Sequence, residues 1–262
     1  MDIKKFYEGL DIMFRRKNPV ETLRYMEDWL REAESTGDWS AAVAVSNEMG
    51  GLLRVMGNTE RAKELYVSVL KNLKEMGLDH TEHYATALIN EGDVFINSKE
   101  PQEALARFLK ARDLLIECGL GGDYRMAALC NNISMVYREL GDYVAAEEAL
   151  DKAFYIIKGI PERRSDLATT YVNLGELQVK QGKLEMAKDS FINACNIYEE
   201  KGGINTHYSS ACSGLGHVYY LKGEKEKAIM YYEKTLALIE RDFGKTPYYY
   251  MIEKNINHIK GV

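Results

Sequence analysis

The chain of 262 residues contains only four prolines, and none of them lies in the interior of an expected helix. Pro19, Pro101, Pro161 and Pro247 fall where a helix is expected to begin or where two helices connect. Proline is tolerated at the first helical position but breaks a helix interior, because it lacks the N–H and its ring clashes with the preceding turn. This spacing is typical of an all-α chain.

Cysteine is equally scarce, and the four cysteines show no Cys-x-x-Cys spacing. Cys118, Cys130, Cys195 and Cys212 all fall within expected helices. The pattern favours reduced thiols in the core of a cytosolic protein. An alternative applies to Cys195 and Cys212, which occupy successive helices at positions that can touch, so that they form a redox pair.

An excess of positive charge and long apolar runs are also missing. The formal net charge is −6, and lysines alternate with glutamates in segments such as Glu224–Lys227, which indicates a solvated face. A nucleic-acid surface needs clustered lysine and arginine, so no nucleic-acid partner is expected. The N-terminal segment lacks the apolar stretch of a signal peptide, and no membrane-spanning segment is recognised. We therefore expect a cytoplasmic protein without a membrane partner.

Motifs of catalysis and metal binding are absent from the sequence. It has no glycine-rich phosphate loop after a strand, no Gly-x-Ser-x-Gly and no His-Glu-x-x-His. His80, His83 and His207 lack the further ligands that a metal site needs. The sequence therefore predicts no catalytic residue, no metal and no cofactor, and the protein is expected not to be an enzyme.

What the sequence does contain is a repeat of 41 to 42 residues. Apolar residues recur at helical spacing on both sides of Gln181-Gly182-Lys183, which predicts two amphipathic helices joined by a short turn. A small residue, then a turn, an alanine and a large residue recur in step. The small residues are Gly50, Gly92, Ser134, Gly175 and Gly216; the alanines are Ala62, Ala104, Ala146, Ala187 and Ala228; the large residues are Tyr66, Phe108, Leu150, Phe191 and Tyr232.

Each position has a physical reason. The small residue lets the two helices approach closely where they cross, and the large residue fills the space between one hairpin and the next. Such a hairpin cannot bury its apolar faces alone, so it needs neighbours stacked on it. The periodicity predicts a single all-α domain of six hairpins and one closing helix, with Thr81, Ser165 and Thr246 as helix N-caps. The expected segments are 1–38 (a degenerate repeat), 39–80, 81–123, 124–164, 165–205, 206–245 and 246–262 (a capping helix).

The order of small residue, turn, alanine and aromatic residue resembles the tetratricopeptide repeat, whose usual period is about 34 residues. The longer period is similar to that of the variety seen in kinesin light chains and in many bacterial repeat proteins. The resemblance implies a right-handed α-solenoid of stacked antiparallel hairpins. It also implies that the first helix of each hairpin lines a concave groove that binds a protein or peptide.

Asparagine recurs two positions before the small residue, as Asn90, Asn132 and Asn173, with Asn255 in the closing helix. Asparagine is a mediocre helix former, so its recurrence in mid-helix needs a reason. The resemblance implies that these amides hold the backbone of an extended peptide. The alternative is that they bridge neighbouring helices inside the stack. Recognition predicts that alanine at Asn132 and Asn173 abolishes partner capture and leaves stability unchanged.

Other residues on the same helix faces complete a mixed polar groove. Arg138 is the candidate anchor for a carboxylate of the partner, with an ordinary ion pair as the alternative. The full set of candidate binding residues is Asn47, Arg54, Asn90, Asp93, Asn97, Asn131, Asn132, Arg138, Asn173, Glu176, Lys180, His217 and Tyr220.

The first functional hypothesis is an adaptor that binds an extended peptide or a partner helix in this groove. A second is a peptide-responsive regulator similar to bacterial quorum-sensing receptors. Those carry an extra N-terminal effector module, for which repeats that begin near Met1 leave no room. A third is a self-assembling scaffold that forms homo-oligomers through its end helices.

Overall fold

The computed structural model describes residues 1–200 and 206–261, and within them the protein is all-α, as the sequence predicts. Thirteen α-helices and one short 3-10 helix, Pro161–Arg163, account for the regular structure of these residues. The α-helices are α1 Ile3–Arg15, α2 Pro19–Thr36, α3 Trp39–Val55, α4 Thr59–Glu75, α5 Glu82–Asn97, α6 Pro101–Glu117, α7 Tyr124–Leu140, α8 Tyr143–Ile157, α9 Arg164–Lys180, α10 Leu184–Glu200, α11 Thr206–Leu221, α12 Lys225–Phe243 and α13 Pro247–Lys260.

The helices pair as hairpins, and the chain divides into two compact units, Met1–Gly121 and Gly122–Val262. In the first unit α1 packs on α2, α3 on α4 and α5 on α6. In the second unit α7 packs on α8, α9 on α10 and α11 on α12, and α13 packs on α12. The hairpins are those of an α-solenoid. One continuous solenoid over residues 1–262 stays a prediction.

Most helix starts and ends follow from local chemistry. The side chain of Asn18 accepts a hydrogen bond from the Glu21 amide at 3.2 Å, and Asp142 accepts one from the Ala145 amide at 3.1 Å. Each bond satisfies an N–H that has no partner inside the helix. Gly141 ends α7 with a φ of 83°, a left-handed conformation that glycine adopts without steric cost.

Of the three predicted helix N-caps, one forms the expected capping hydrogen bond and two do not. Thr246 is confirmed, since its hydroxyl accepts from the Tyr249 amide at 3.3 Å. Thr81 occupies the N-cap position, but its hydroxyl donates to the Leu78 carbonyl instead of capping α5. Ser165 was expected to cap α9 and does not, because the 3-10 turn starts the helix earlier and places Ser165 inside it.

The core of five of the six hairpins in the described residues contains a large side chain packed on a glycine. The ring of Phe191 on α10 lies against Gly175 on α9 and against Gly214 on α11. A Cβ at Gly175 would lie 2.8 Å from that ring. Phe191 is 1% exposed, so the ring has no free space to move into. Phe191 therefore joins its own hairpin and the next, and Gly214 stands where the three preceding repeats carry asparagine.

Two further positions complete this pattern. Gly9, 41 residues before Gly50, rests on Tyr25, whose hydroxyl donates to the Phe6 carbonyl at 3.0 Å. Sequence reasoning missed Gly9, although the period pointed to it. Where the large residue is the shorter Leu150, the small residue is Ser134, and both are 2% exposed.

Candidate functional site

In the second unit, the first helices of successive hairpins lie side by side, with α9 in contact with both α7 and α11. The faces that α8, α10 and α12 leave uncovered border a hollow of about 420 Å³. Its lining is mostly polar and carries charges of both signs. The polar lining residues are Arg138, Glu176, Lys180, Ser210, Ser213, His217 and Tyr248.

Arg138 is already paired across the hollow. Its guanidinium lies 2.6 Å from the Glu176 carboxylate, and its side chain is 18% exposed against 41% for Glu176. A bond between α7 and α9 at this distance is a charge-assisted hydrogen bond. The ion pair that was the alternative for Arg138 is therefore present, and the pair forms one wall of the hollow.

Lys180 is the second cationic side chain that lines this hollow. It is exposed at the end of α9, and no carboxylate among the described residues lies within salt-bridge distance of it. His217 lies on the neighbouring helix α11. Neighbouring protein atoms displace water from the imidazole and lower its pKa, and the charge of Lys180 lowers this pKa further. A neutral His217 offers one donor and one acceptor at pH 7.

A second hollow, of about 320 Å³, adjoins the first, and Ser213 and His217 line both. It lies between α11, α12 and α13 and is more apolar. Tyr220 is 38% exposed at its edge, with its ring centroid 6.4 Å from that of His258. The other lining residues are Tyr232, Met251, Ile252, Asn255 and Ile259.

Two of the candidate asparagines lie beneath the surface of this face. Asn173 donates to the side-chain oxygen of Asn131 at 3.1 Å, and Asn131 donates to the Thr170 hydroxyl at 3.0 Å. Asn131 is 5% exposed and Asn173 is 7% exposed. The two amides thus bridge α7 and α9, which was the alternative to recognition. Asn132, one position along α7, is half-buried.

The first unit has its own hollow, of about 490 Å³, between α1, α3, α4 and α5. Two of the candidate binding residues, Asn47 and Asn90, line it. The Asn47 carbonyl accepts a hydrogen bond from the Tyr66 hydroxyl at 3.1 Å. Its other polar lining residues are Tyr7, Ser40, Glu48, His83 and Thr86.

Arg54, Asp93 and Asn97 form a separate polar group on α3 and α5. The Asn97 amide donates to the Arg54 carbonyl at 3.4 Å. Burial raises the pKa of Asp93 to about 6, and the nearby charge of Arg54 opposes that rise. Burial likewise raises the pKa of Glu48 on α3. This face therefore holds carboxylates that are costly to ionise.

The structure adds residues that sequence reasoning did not select. Ser210 and Ser213 lie seven and four positions before His217 on α11, and helical spacing along that face is the signal that pointed to them. Tyr248 and His258 come from the closing helix α13. His258 lies 41 residues after His217, one period of the repeat, and this spacing is the signal that could have identified it.

The described residues contain neither a metal-binding cluster nor a membrane-spanning helix. Among residues 1–200 and 206–261, no cluster of three or more histidine, cysteine, aspartate or glutamate side chains is arranged to hold a metal ion. None of the helices in this part of the chain is long and apolar enough to cross a membrane.

Stacked helical hairpins with a polar inner face define the class of helical repeat proteins. Residues 124–200 and 211–246 each match a model of the tetratricopeptide repeat. These two segments of the second unit are tetratricopeptide repeats, and the 41- to 42-residue period of the chain is longer than the usual period of about 34 residues of that repeat. No curated protein sequence matches it.

Solved structures share this fold at low sequence identity. BtubC (BKLC) from P. vanneervenii is 19% identical, with a TM-score of 0.72 over 87% of this chain and 94% of that chain. A putative kinesin light chain from Podosopora anserina is 14% identical, with a TM-score of 0.61 over 76% of this chain and 95% of that chain. The tetratricopeptide sensor protein PH0952 from Pyrococcus horikoshii is 15% identical, with a TM-score of 0.70 over 97% of this chain and 38% of that chain.

Proposed function

We propose that the chain is an adaptor that binds an extended peptide of a partner protein in the two joined hollows of the second unit. Tetratricopeptide repeats support a role in protein–protein interaction. The proposal of an extended peptide depends on the observation that the two hollows adjoin and share Ser213 and His217. An extended chain has alternating side chains, so it can place one in the apolar hollow and another in the polar hollow.

The charges of the site favour a peptide that carries a carboxylate. Arg138 and Glu176 neutralise each other, whereas Lys180 has no carboxylate within reach in the described part of the chain. A peptide carboxylate at Lys180 gains a charge-assisted hydrogen bond. Ser210, Ser213 and His217 offer further donors and acceptors for its backbone.

The test is selection of peptides from a random display library on the whole protein. Selected peptides are then measured by fluorescence polarisation against Lys180→Ala, His217→Ala and Tyr220→Ala. We expect Lys180→Ala to weaken binding by about tenfold to a hundredfold, since a hydrogen bond to a charged group is worth about 1.5–3 kcal/mol, and His217→Ala and Tyr220→Ala by about twofold to tenfold through the loss of a neutral hydrogen bond and of a ring contact. Lys152→Ala, on an exposed position of α8, is the matched control and should bind like the wild type.

Two results contradict the proposal. Peptides whose affinity is the same for all four variants bind elsewhere. Selected sequences that bind only as amphipathic helices, with apolar residues at helical spacing, indicate a partner helix instead of an extended peptide.

The other hypotheses stay predictions. Tyr250 and Met251 expose 55% and 50% of their surface on the closing helix α13, which is the observation that favours self-association through an end helix. Light scattering over a range of concentrations separates a self-assembling scaffold from a monomeric adaptor. A regulatory role, the absence of catalysis and a cytoplasmic location also stay predictions from the sequence.

A further inference from the structure

Two cysteines on adjacent helices of the second unit have their sulfur atoms in contact. The Sγ atoms of Cys195 on α10 and Cys212 on α11 lie 3.9 Å apart. Both are free thiols, 7% and 0% exposed respectively. The sequence identified them as a possible pair, and the packing of α10 on α11 brings them together.

The surroundings of the pair include a cation. Lys234 on α12 lies 2.8 Å from the Glu199 carboxylate, which also accepts a hydrogen bond from the Tyr208 hydroxyl at 2.5 Å. The hydrogen bond from Cys195 lowers the pKa of the Cys212 thiol, and the charge of Lys234 lowers it further against the opposing effect of burial. A thiolate is the form of cysteine that reacts.

We propose that Cys195 and Cys212 are a modification site at which hydrogen peroxide forms an intramolecular disulfide between α10 and α11. Burial excludes large oxidants, and hydrogen peroxide is close to water in size. A disulfide needs an S–S distance of about 2.05 Å, so each sulfur has to move by about 1 Å from its present position.

The reaction balances with one peroxide for each pair. The Cys212 thiol releases its proton, the thiolate attacks one peroxide oxygen and the O–O bond breaks, which leaves a sulfenic acid; the departing hydroxide takes up the released proton and becomes water. The Cys195 sulfur then attacks the Cys212 sulfur and forms the S–S bond. The S–O bond breaks, and its hydroxide leaves as a second water with the Cys195 proton. Two thiols are oxidised and both peroxide oxygens are reduced.

The consequence for the fold is a covalent link between two hairpins. Cys212 immediately precedes Ser213, which lines both hollows of the second unit. The link therefore fixes one wall of the candidate site to α10. The inference itself does not depend on what that site binds, because it concerns only the two sulfurs.

The test treats the folded, full-length protein with hydrogen peroxide, blocks the remaining thiols under denaturing conditions and maps the peptides by mass spectrometry. We expect the peptides of Cys195 and Cys212 to be linked, with the loss of two hydrogen atoms, and to separate on reduction. The urea midpoint of the oxidised protein should rise, because a cross-link restricts the unfolded chain.

A Cys118→Ser, Cys130→Ala variant should form the same link, since it keeps the pair and removes the other two thiols. A Cys195→Ala variant should form none and should show no rise in the urea midpoint on oxidation. The proposal is overturned if the wild-type protein gives no linked peptide, gives only singly oxidised cysteines, or links the two only after it is unfolded. Each of these results shows that the two thiols do not form a disulfide in the folded protein, and the wild-type arm needs no variant to fold.

Discussion

At the scale of single residues, Gly50 and Gly51 in α3 separate two effects of glycine in a helix. A Cβ at Gly50 would lie 2.7 Å from the ring of Tyr66, which is 2% exposed, whereas a Cβ at Gly51 would meet nothing within 4 Å. We expect Gly50→Ala to lower the free energy of unfolding by about 1–2 kcal/mol, because overpacking exceeds the gain in helix propensity.

The matched control is Gly51→Ala, which should raise the free energy of unfolding by about 0.5–1 kcal/mol through propensity alone. Both values come from urea unfolding followed by circular dichroism. If the two variants change stability in the same direction, Tyr66 moves aside freely and the close approach at Gly50 is not a constraint.

The buried amides of Asn131 and Asn173 give a second prediction at this scale. Asn173→Ala removes the donor to the Asn131 side-chain oxygen and should cost about 1–3 kcal/mol of stability. This replaces the expectation from the sequence that alanine at Asn173 leaves stability unchanged. A double-mutant cycle with Asn131→Ala measures the bond, and independent effects of the two changes would refute the bridge. Asn193→Ala, at an exposed position of α10, is the control.

Asp93 predicts how stability depends on pH. Its pKa of about 6 in the folded protein exceeds the ordinary value of 3.8. Between these values the folded state holds a proton that the unfolded state has lost, so the free energy of unfolding falls as the pH rises. Relative to the wild type, Asp93→Asn should therefore gain about 2–3 kcal/mol between about pH 4 and pH 6. Urea unfolding across this range checks it, and a constant difference contradicts it.

At the scale of elements, helix starts depend on one or two side chains. Asp142 caps α8 with a bond to the Ala145 amide, so Asp142→Ala should cost about 1 kcal/mol. Ser165 lies inside α9 and caps nothing, so Ser165→Ala should change stability by less than about 0.5 kcal/mol. Thermal unfolding of both variants tests this pair. An equal loss at Ser165 would mean that α9 begins where the sequence predicts.

The same contrast explains how far the elements can be predicted. Apolar periodicity, the turn glycines and the four prolines predict the thirteen α-helices of residues 1–200 and 206–261 to within a few residues, because these signals are local. The start of α9 was misplaced because Pro161 begins a 3-10 turn that runs directly into the helix. Serine is a common cap, but whether it caps depends on the backbone before it.

At the scale of the whole molecule, the closing helix α13 covers an apolar face of α12 in the hairpin α11–α12. Ile252 is 1% exposed and packs in a cluster with Tyr232 and Ile239 of α12, whereas its neighbour Met251 is 50% exposed. We expect Ile252→Ala to cost about 2–4 kcal/mol, because it leaves a cavity. Met251→Ala should change stability by less than about 0.5 kcal/mol. Similar values for the two variants would mean that α13 does not seal this core, and urea unfolding measures both.

The sequence predicted only part of the candidate site, because helix packing decides which residues border a hollow. Helical spacing selected Glu176, Lys180 and His217, and all three line one hollow of the second unit. It did not distinguish a face that borders a hollow from one covered by the next helix, and Asn131 and Asn173 fell on the covered side. Tyr248 and His258 reach the hollows from α13, and only the packing of that helix brings them there.

The sequence by itself determined the class of the protein, because small residues, turns, alanines and large residues at a constant period leave stacked helical hairpins as the way to bury the apolar faces. The tertiary structure decided which polar groups are available to a partner and which are used within the stack. The physical reason is that a side chain's solvent exposure and its hydrogen-bond partners depend on neighbouring helices, whereas helix formation and turns depend mainly on residues a few positions away. The tertiary structure also decided the contact between Cys195 and Cys212 and the ion pair of Arg138, because both depend on how neighbouring helices pack.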